Sequence, residues 1–332
     1  LVVVGTSWDA PGQRTSVTVT KLNLLGETIW NSYYGGNHND FAFDIVETQD
    51  KGFLITGVDR SQGPDGAISL AKFNEHGIIA WVKYYYTSSR DVGQSVIELT
   101  DGSILILANS NSFASKIANA AEYSSNESSG IVLIKTDSLG NEIWQNNLGG
   151  IKHDFGKKLK VHDDKIFLVG SSMNNSNGSF DVVVYKIDLN GNVVWERNYG
   201  GTQYEYGNYI DINSSGEMIL TGTTASNTPN DSPDIFLIKT DDSGNVIWER
   251  KLGGQYPDYG SCGEFTSDGN ISVLGSATNI DGNLDMYYAV LSAEGEIIEC
   301  PYGEIPEAIL RPVIYPNPSR NIINISFVAD KE

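Results

Sequence analysis

Five tryptophans at near-constant intervals constrain this chain more than any other feature. Trp30, Trp81, Trp144, Trp195 and Trp248 are spaced by 51, 63, 51 and 53 residues, and Glu299 stands 51 residues after the last in a worn copy. Their surroundings keep the same register. A lysine precedes each tryptophan by nine residues (Lys21, Lys72, Lys135, Lys186, Lys239) and a glycine by four (Gly26, Gly77, Gly140, Gly191, Gly244). An acid follows each by ten (Asp40, Asp91, Asp154, Glu205, Asp258). A fixed period near fifty residues means an array of like supersecondary units.

Within each copy, four short β-branched, alternating stretches are divided by Gly/Asp/Asn turns, and no helix period is present, so each unit reads as a small antiparallel sheet. A four-stranded sheet of ~50 residues cannot bury both faces alone, so copies must stack face to face around an axis. The expected fold is all-β, a β-propeller of four-stranded antiparallel blades, six of them visible. Their limits are about 1–36, 37–86, 87–150, 151–200, 201–253 and 254–300. The first copy lacks an inner strand, and with residues supplied ahead of Leu1 the native ring would hold seven or eight blades. In this scheme the tryptophan wedges between blades. The lysine lays its stem on apolar surface with its ammonium near an acid. Asp137, Asp188 and Asp241 serve their turns.

Composition narrows the partners. Acids outnumber bases 42 to 22, a formal charge of −20, which repels nucleic-acid phosphates and anionic lipid. No run approaches the ~20 apolar residues of a membrane span. Cys262 and Cys300 fall on the first and fourth strands of one sheet, ~14 Å apart. A disulfide needs Cα atoms within about 7 Å, so two free thiols are expected.

After Gly303 four of the ten prolines crowd into a short span, which ends the array. A linker over 304–312 leads to Val313-Ile314-Tyr315-Pro316-Asn317-Pro318-Ser319 and then Ile322-Ile323-Asn324-Ile325-Ser326-Phe327. This stretch, centred on Tyr315, Pro316, Asn317 and Pro318, resembles the opening of the type A C-terminal sorting domain of the Bacteroidota type IX secretion system; 313–332 would be its beginning. The blades, with GG-x-x-x-D and a later V-x-G, are similar to Bacteroidota propeller repeats of the SBBP type. The resemblance implies cargo of the type IX machinery, a secreted or cell-surface location, and no particular activity.

In a propeller the loops joining strands two and three, and strand four to the next blade, share one rim. Here those are the long, variable loops: 7–16, 59–66, 109–129, 171–180 and 226–233. The opposite rim has only tight turns. Variable loops on a rigid scaffold are where binding usually resides. Exposed aromatics there would stack on the C–H face of a sugar; Trp8, the insertion pair Phe113 and Tyr123, and the run Tyr84-Tyr85-Tyr86 in place of a double glycine are the candidates. His38 and His153 lie beside Asp40 and Asp154 in equivalent inter-blade loops, a pairing capable of acid–base work or metal binding. No nucleophile motif accompanies them. The acids Asp40, Asp91, Asp154, Glu205 and Asp258 either accept backbone N–H bonds or hold a hard cation such as calcium; no other cofactor is implied. Three functions follow in order: a non-enzymatic module binding glycan or a surface protein, a polysaccharide hydrolase or lyase using Asp40, Asp154, Glu205 or Asp258, and a scaffold in a surface assembly.

Overall fold

The computed structural model describes residues 1–9, 14–35, 38–62, 66–86, 91–111, 129–150, 152–174, 179–278 and 282–298. They form six antiparallel sheets. The first holds β1 (Val2–Asp9), β2 (Arg14–Leu22) and β3 (Thr28–Tyr34). The second holds β4 (Phe41–Glu47), β5 (Phe53–Asp59), β6 (Ala67–Phe73) and β7 (Ile79–Tyr85). The third is β8 (Asp91–Glu98), β9 (Ile104–Ser110), β10 (Gly130–Thr136) and β11 (Glu142–Leu148). The fourth is β12 (Asp154–His162), β13 (Lys165–Ser172), β14 (Asp181–Asp188) and β15 (Val193–Tyr199). The fifth is β16 (Glu205–Ile212), β17 (Met218–Thr224), β18 (Asp234–Thr240) and β19 (Val246–Leu252). The sixth is β20 (Asp258–Phe265), β21 (Ile271–Thr278) and β22 (Leu284–Leu291), with Ile297 bridging to Leu291 where a fourth strand would run. No α-helix occurs among the described residues.

The sheets stack in chain order, with β1 against β4, β4 against β8, β8 against β12, β12 against β16 and β16 against β20. Five apolar clusters each straddle one junction. Leu105, Leu107, Ile131 and Leu133 of the third sheet face Leu159, Ile166, Leu168 and Val183 of the fourth. Their strand neighbours Ile104, Ile106, Val132 and Ile134 face Leu54, Ile68 and Leu70 of the second. The middle strands are therefore buried on both faces, which is why they read as continuous apolar runs rather than alternating ones.

The periodic residues lock these junctions. Each lysine pairs directly across the sheet with its tryptophan, as in Lys72↔Trp81 and Lys239↔Trp248. The ammonium groups reach Asp50 (2.6 Å), Glu217 (3.1 Å) and, more loosely, Asp242 (3.9 Å). The turn glycine then meets the tryptophan of the preceding sheet: a Cβ on Gly77 would come within 2.7 Å of Trp30, and one on Gly191 within 3.2 Å of Trp144. These glycines also have positive φ, at 76° and 90°. Two constraints coincide, a left-handed turn and a ring lying flat on it. The same turns accept side-chain hydrogen bonds from the preceding sheet at the Gly77, Gly140, Gly191, Gly244 and Gly295 carbonyls.

Inner strands β4, β8, β12, β16 and β20 each carry a β-bulge, at Phe43, Gln94, Lys157, Asn208 and Ser261. The bulge pushes a carbonyl against the second strand, where Gly57, Gly170, Gly222 and Gly275 leave room; a Cβ there would lie 1.9–2.4 Å from it. Gly5 is the matching residue of β1, and a Cβ on it would meet nothing, because β1 is the edge of a three-stranded sheet.

Two sequence readings are corrected. Trp8 lies within β1, paired with Thr15, because the first hairpin is tighter than a loop over 7–16. Tyr85 does not replace a glycine: it ends β7 at the place of Tyr34, Leu148, Tyr199 and Leu252, buried, its hydroxyl donating to the Gly140 carbonyl at 2.8 Å. Only Tyr86 takes the glycine position.

Candidate functional site at the long-loop rim

Antiparallel order sends the strand 1–2 and 3–4 turns to one rim and the remaining connections to the other. On the first rim the turns are near copies, closed by the same bond pair: Asn74 N–H to Ile78 C=O and Gly77 N–H to Asn74 C=O, repeated at Asp137, Asp188 and Asp241. Asp137, Asp188 and Asp241 accept two backbone N–H bonds each within their turns. This rim offers little variation. The other rim carries 173–174, 179–180, 225–233 and the described inter-sheet residues; 112–128 and 175–178, from the two connections 109–129 and 173–180, lie outside the described residues.

The acids anchor this rim. Asp40, Asp91, Asp154, Glu205 and Asp258 are at most 5% exposed. The carboxylate of Asp154 accepts from Gly150 N–H (2.8 Å) and Asn174 Nδ2 (2.7 Å). Glu205 accepts from Gly201 N–H and Thr224 Oγ1, both at 2.7 Å. Asp258 accepts from Gly254 N–H (3.0 Å) and Thr278 N–H (2.9 Å), and Asp40 from Arg60 N–H (3.0 Å). Their own N–H groups bond to Ser129, Phe180, Pro233 and Thr15 carbonyls, sewing each inner strand to the sheet before it. Burial raises the carboxyls of Asp154 and Asp258. Each acid serves its own junction, and among the described residues no group of three or more His, Cys, Asp or Glu gathers as a metal cage.

Two further acids went unnoticed in the sequence. Asp181 and Asp234 open β14 and β18, each 5% exposed and each with an Oδ1 lacking a partner. They straddle a glycine with the next acid: a Cβ on Gly200 would lie 2.4 Å from Asp181 Oδ1 and 2.6 Å from Glu205 Oε2, and Gly253 sits likewise between Asp234 and Asp258. Burial, then the neighbouring carboxylate, pushes both up to about 6.

Above the acids lies a row of rings. The residue after each acid is Phe41, Val92, Phe155, Tyr206 or Tyr259, and strand alternation turns it away from the buried carboxylate. His153 stacks on Phe155 with centroids 6.4 Å apart and planes 4° from parallel. Phe155 meets Phe180 at 5.6 Å, Phe180 meets Tyr206 at 5.4 Å, and Tyr206 meets Tyr204 at 5.3 Å. Burial and the phenols of Tyr259 and Tyr206 raise the Tyr204 hydroxyl. Tyr206, Tyr256 and Tyr259 remain 39%, 39% and 41% exposed. His153 thus joins a site, its Nδ1 3.2 Å from Ser129 Oγ, whereas His38 is exposed and outside the row. Phe113 and Tyr123 lie outside the described residues, as do Cys300 and Tyr315, Pro316, Asn317 and Pro318; Cys262 is a free thiol. The alternation of acid and aromatic was readable in the sequence. The meeting of Phe180 with Tyr206 was not.

Nearer the middle of the inner strands a polar lock ties non-adjacent sheets. Lys158 Nζ sits 2.8 Å from both Asp44 oxygens, and Asp44 also accepts from Ser95 Oγ (2.7 Å) and Val96 N–H (3.0 Å). Lys160 pairs with Asp211 at 2.9 Å, and Tyr209 donates to Glu264 at 2.5 Å.

The stack is that of a β-propeller-like protein, and solved structures bear this out. A protein of unknown function from Bacteroides caccae superposes with TM-score 0.55 at 11% identity, covering 90% of this chain and 91% of its own. A polysaccharide lyase of family PL25, an ulvan lyase, gives 0.52 at 10%, covering 90% and 80%. The WD40 domain of Neurospora crassa Pan2 gives 0.50 at 10%, covering 85% and 78%. No family model and no curated protein matches the chain. Likeness at this identity defines the fold class alone.

Proposed function

We propose that this protein is a non-enzymatic binding module that engages glycan or a surface protein through its long-loop rim. The observation that carries the reading is the inequality of the two rims among the described residues: one is a set of near-identical hydrogen-bonded turns, the other holds the 225–233 connection and the row of rings. Burial of the acids weighs against the hydrolase or lyase alternative, even though an ulvan lyase shares the fold class, because Asp40, Asp154, Glu205 and Asp258 are at most 5% exposed and each spends a carboxylate oxygen on a backbone N–H group. We further propose display at the cell surface or secretion as type IX cargo, from the resemblance around Tyr315–Pro318. The test of the binding reading is a glycan array and surface-protein panel probed with the wild-type chain and with a variant whose 173–180 and 225–233 loops are replaced by two-residue turns. Binding lost in the variant supports it, and binding unaltered by the grafts refutes it.

A further inference from the structure

We propose that the rings Phe155, Phe180, Tyr204, Tyr206 and Tyr259 form a stacking platform for a neutral polysaccharide laid across the fourth to sixth sheets, an assignment that rests on the rim being the binding face. The rings are not there for the fold. Val92 occupies the same inner-strand position in the third sheet, and Tyr206 and Tyr259 keep 39% and 41% of their surface in solvent, more than packing residues would. Phe155, Phe180, Tyr206 and Tyr204 follow one another at 5.3–5.6 Å between centroids with tilted planes, a continuous strip that Tyr259 extends on the next inner strand, its phenol close enough to Tyr204 to raise that hydroxyl. The described residues bordering the strip are polar: Ser171, Ser172, Asn174 and Ser179 lead to Phe180, and 200–203 reads G-G-T-Q. A protein partner would need about 800 Å² of surface on this side, more than the exposed part of five half-buried rings supplies. A sugar chain presents apolar C–H faces to rings and hydroxyls to flanking amides and carbonyls, the division this strip offers.

Charge chooses among polysaccharides. The chain carries −20, and directly beneath the rings lie Asp154, Asp181, Glu205, Asp234 and Asp258. A uronate or sulfated polymer entering here would meet that field without a compensating cluster of bases. The neutral class remains.

The test is affinity electrophoresis of the full chain through gels holding laminarin, glucomannan or xyloglucan, with alginate as the polyanion. Tyr206→Val and Tyr259→Val copy the natural residue at Val92, so folding is kept; circular dichroism and the thermal midpoint verify this. Retardation by a neutral polymer is expected for the wild type, with about a tenfold weaker affinity in each valine variant, the size of losing one stacked ring. Retardation by alginate alone, by no polymer, or by a neutral polymer as strongly in both valine variants as in the wild type overturns the platform. Grafting a two-residue turn onto 225–233 separates the two ideas. Binding lost in the graft but kept in the valine variants overturns the platform and leaves the rim reading standing, whereas binding kept in all three removes both.

Discussion

Replacing Asp181 by asparagine should stabilise this protein, and only above mildly acidic pH. Asp181 is almost completely buried, one oxygen has no partner, and Glu205 faces it across Gly200. Its carboxyl is pushed up to about 6 from an ordinary 3.8. A folded-state pKa above the unfolded one means that ionisation opposes folding: the penalty is absent below about 4, grows as pH rises, and is complete above about 6. Two pKa units correspond to about 3 kcal/mol at most. Asp181→Asn removes the charge while its amide can donate to Glu205, so a gain of about 1–3 kcal/mol at pH 7.5 is expected, roughly 2–4 °C per kcal/mol in the thermal midpoint for a chain of this size. The gap should shrink at pH 6 and nearly vanish at pH 4. Asp234→Asn should behave alike, with a similar gain, because burial and then Asp258 push its carboxyl up to about 6 as well. Urea denaturation at the three pH values reads this directly. Asp181→Asn being less stable than wild type at pH 7.5, or a gap unchanged down to pH 4, refutes the reasoning. Calcium raising the wild-type midpoint but not that of the variant would refute it too, by showing that a cation uses both carboxylates.

Three further outcomes follow from the junctions. Gly191→Ala should cost about 2–4 kcal/mol, since it strains a φ of 90° and drives a methyl into Asn146 and Trp144; Gly269→Ala, at φ 85° with open space around it, should cost only about 1 kcal/mol by the same urea measurement. Lys158→Ala should destabilise by about 1–3 kcal/mol because it strands the largely buried Asp44, and Asp44→Asn in that background should recover part of the loss. Leu107→Ala, at the junction of the third and fourth sheets, should cost about 2–5 kcal/mol.

The period made the sheets readable, because lysine, glycine and tryptophan recur wherever a strand-three to strand-four hairpin meets its predecessor. What the period could not say was which copy each residue serves. Gly77 looked like a turn residue of its own hairpin, and half its reason is Trp30 in the sheet before. The acids were visible as a ring, and their burial followed only once Gly150, Gly201 and Gly254 turned their N–H groups inward. Trp8 was misplaced because hairpin length depends on pairing with Thr15 rather than on local polarity. The aromatic row escaped for a related reason. Its pieces, 153–155, 180 and 204–206, are brought together by packing between the fourth and fifth sheets, a relation that no local pattern carries.

The central claim is that recognition belongs to the long-loop rim. The direct measurement compares binding to one immobilised polysaccharide panel by three chains: the wild type, one with two-residue turns at 173–180 and 225–233, and one with the tight turns 189–192 and 242–245 altered to Ala-Ser-Gly-Asn sequences. Loss in the second chain with wild-type affinity in the third is the predicted result; loss in the third with affinity kept in the second would place recognition on the opposite rim and contradict the account.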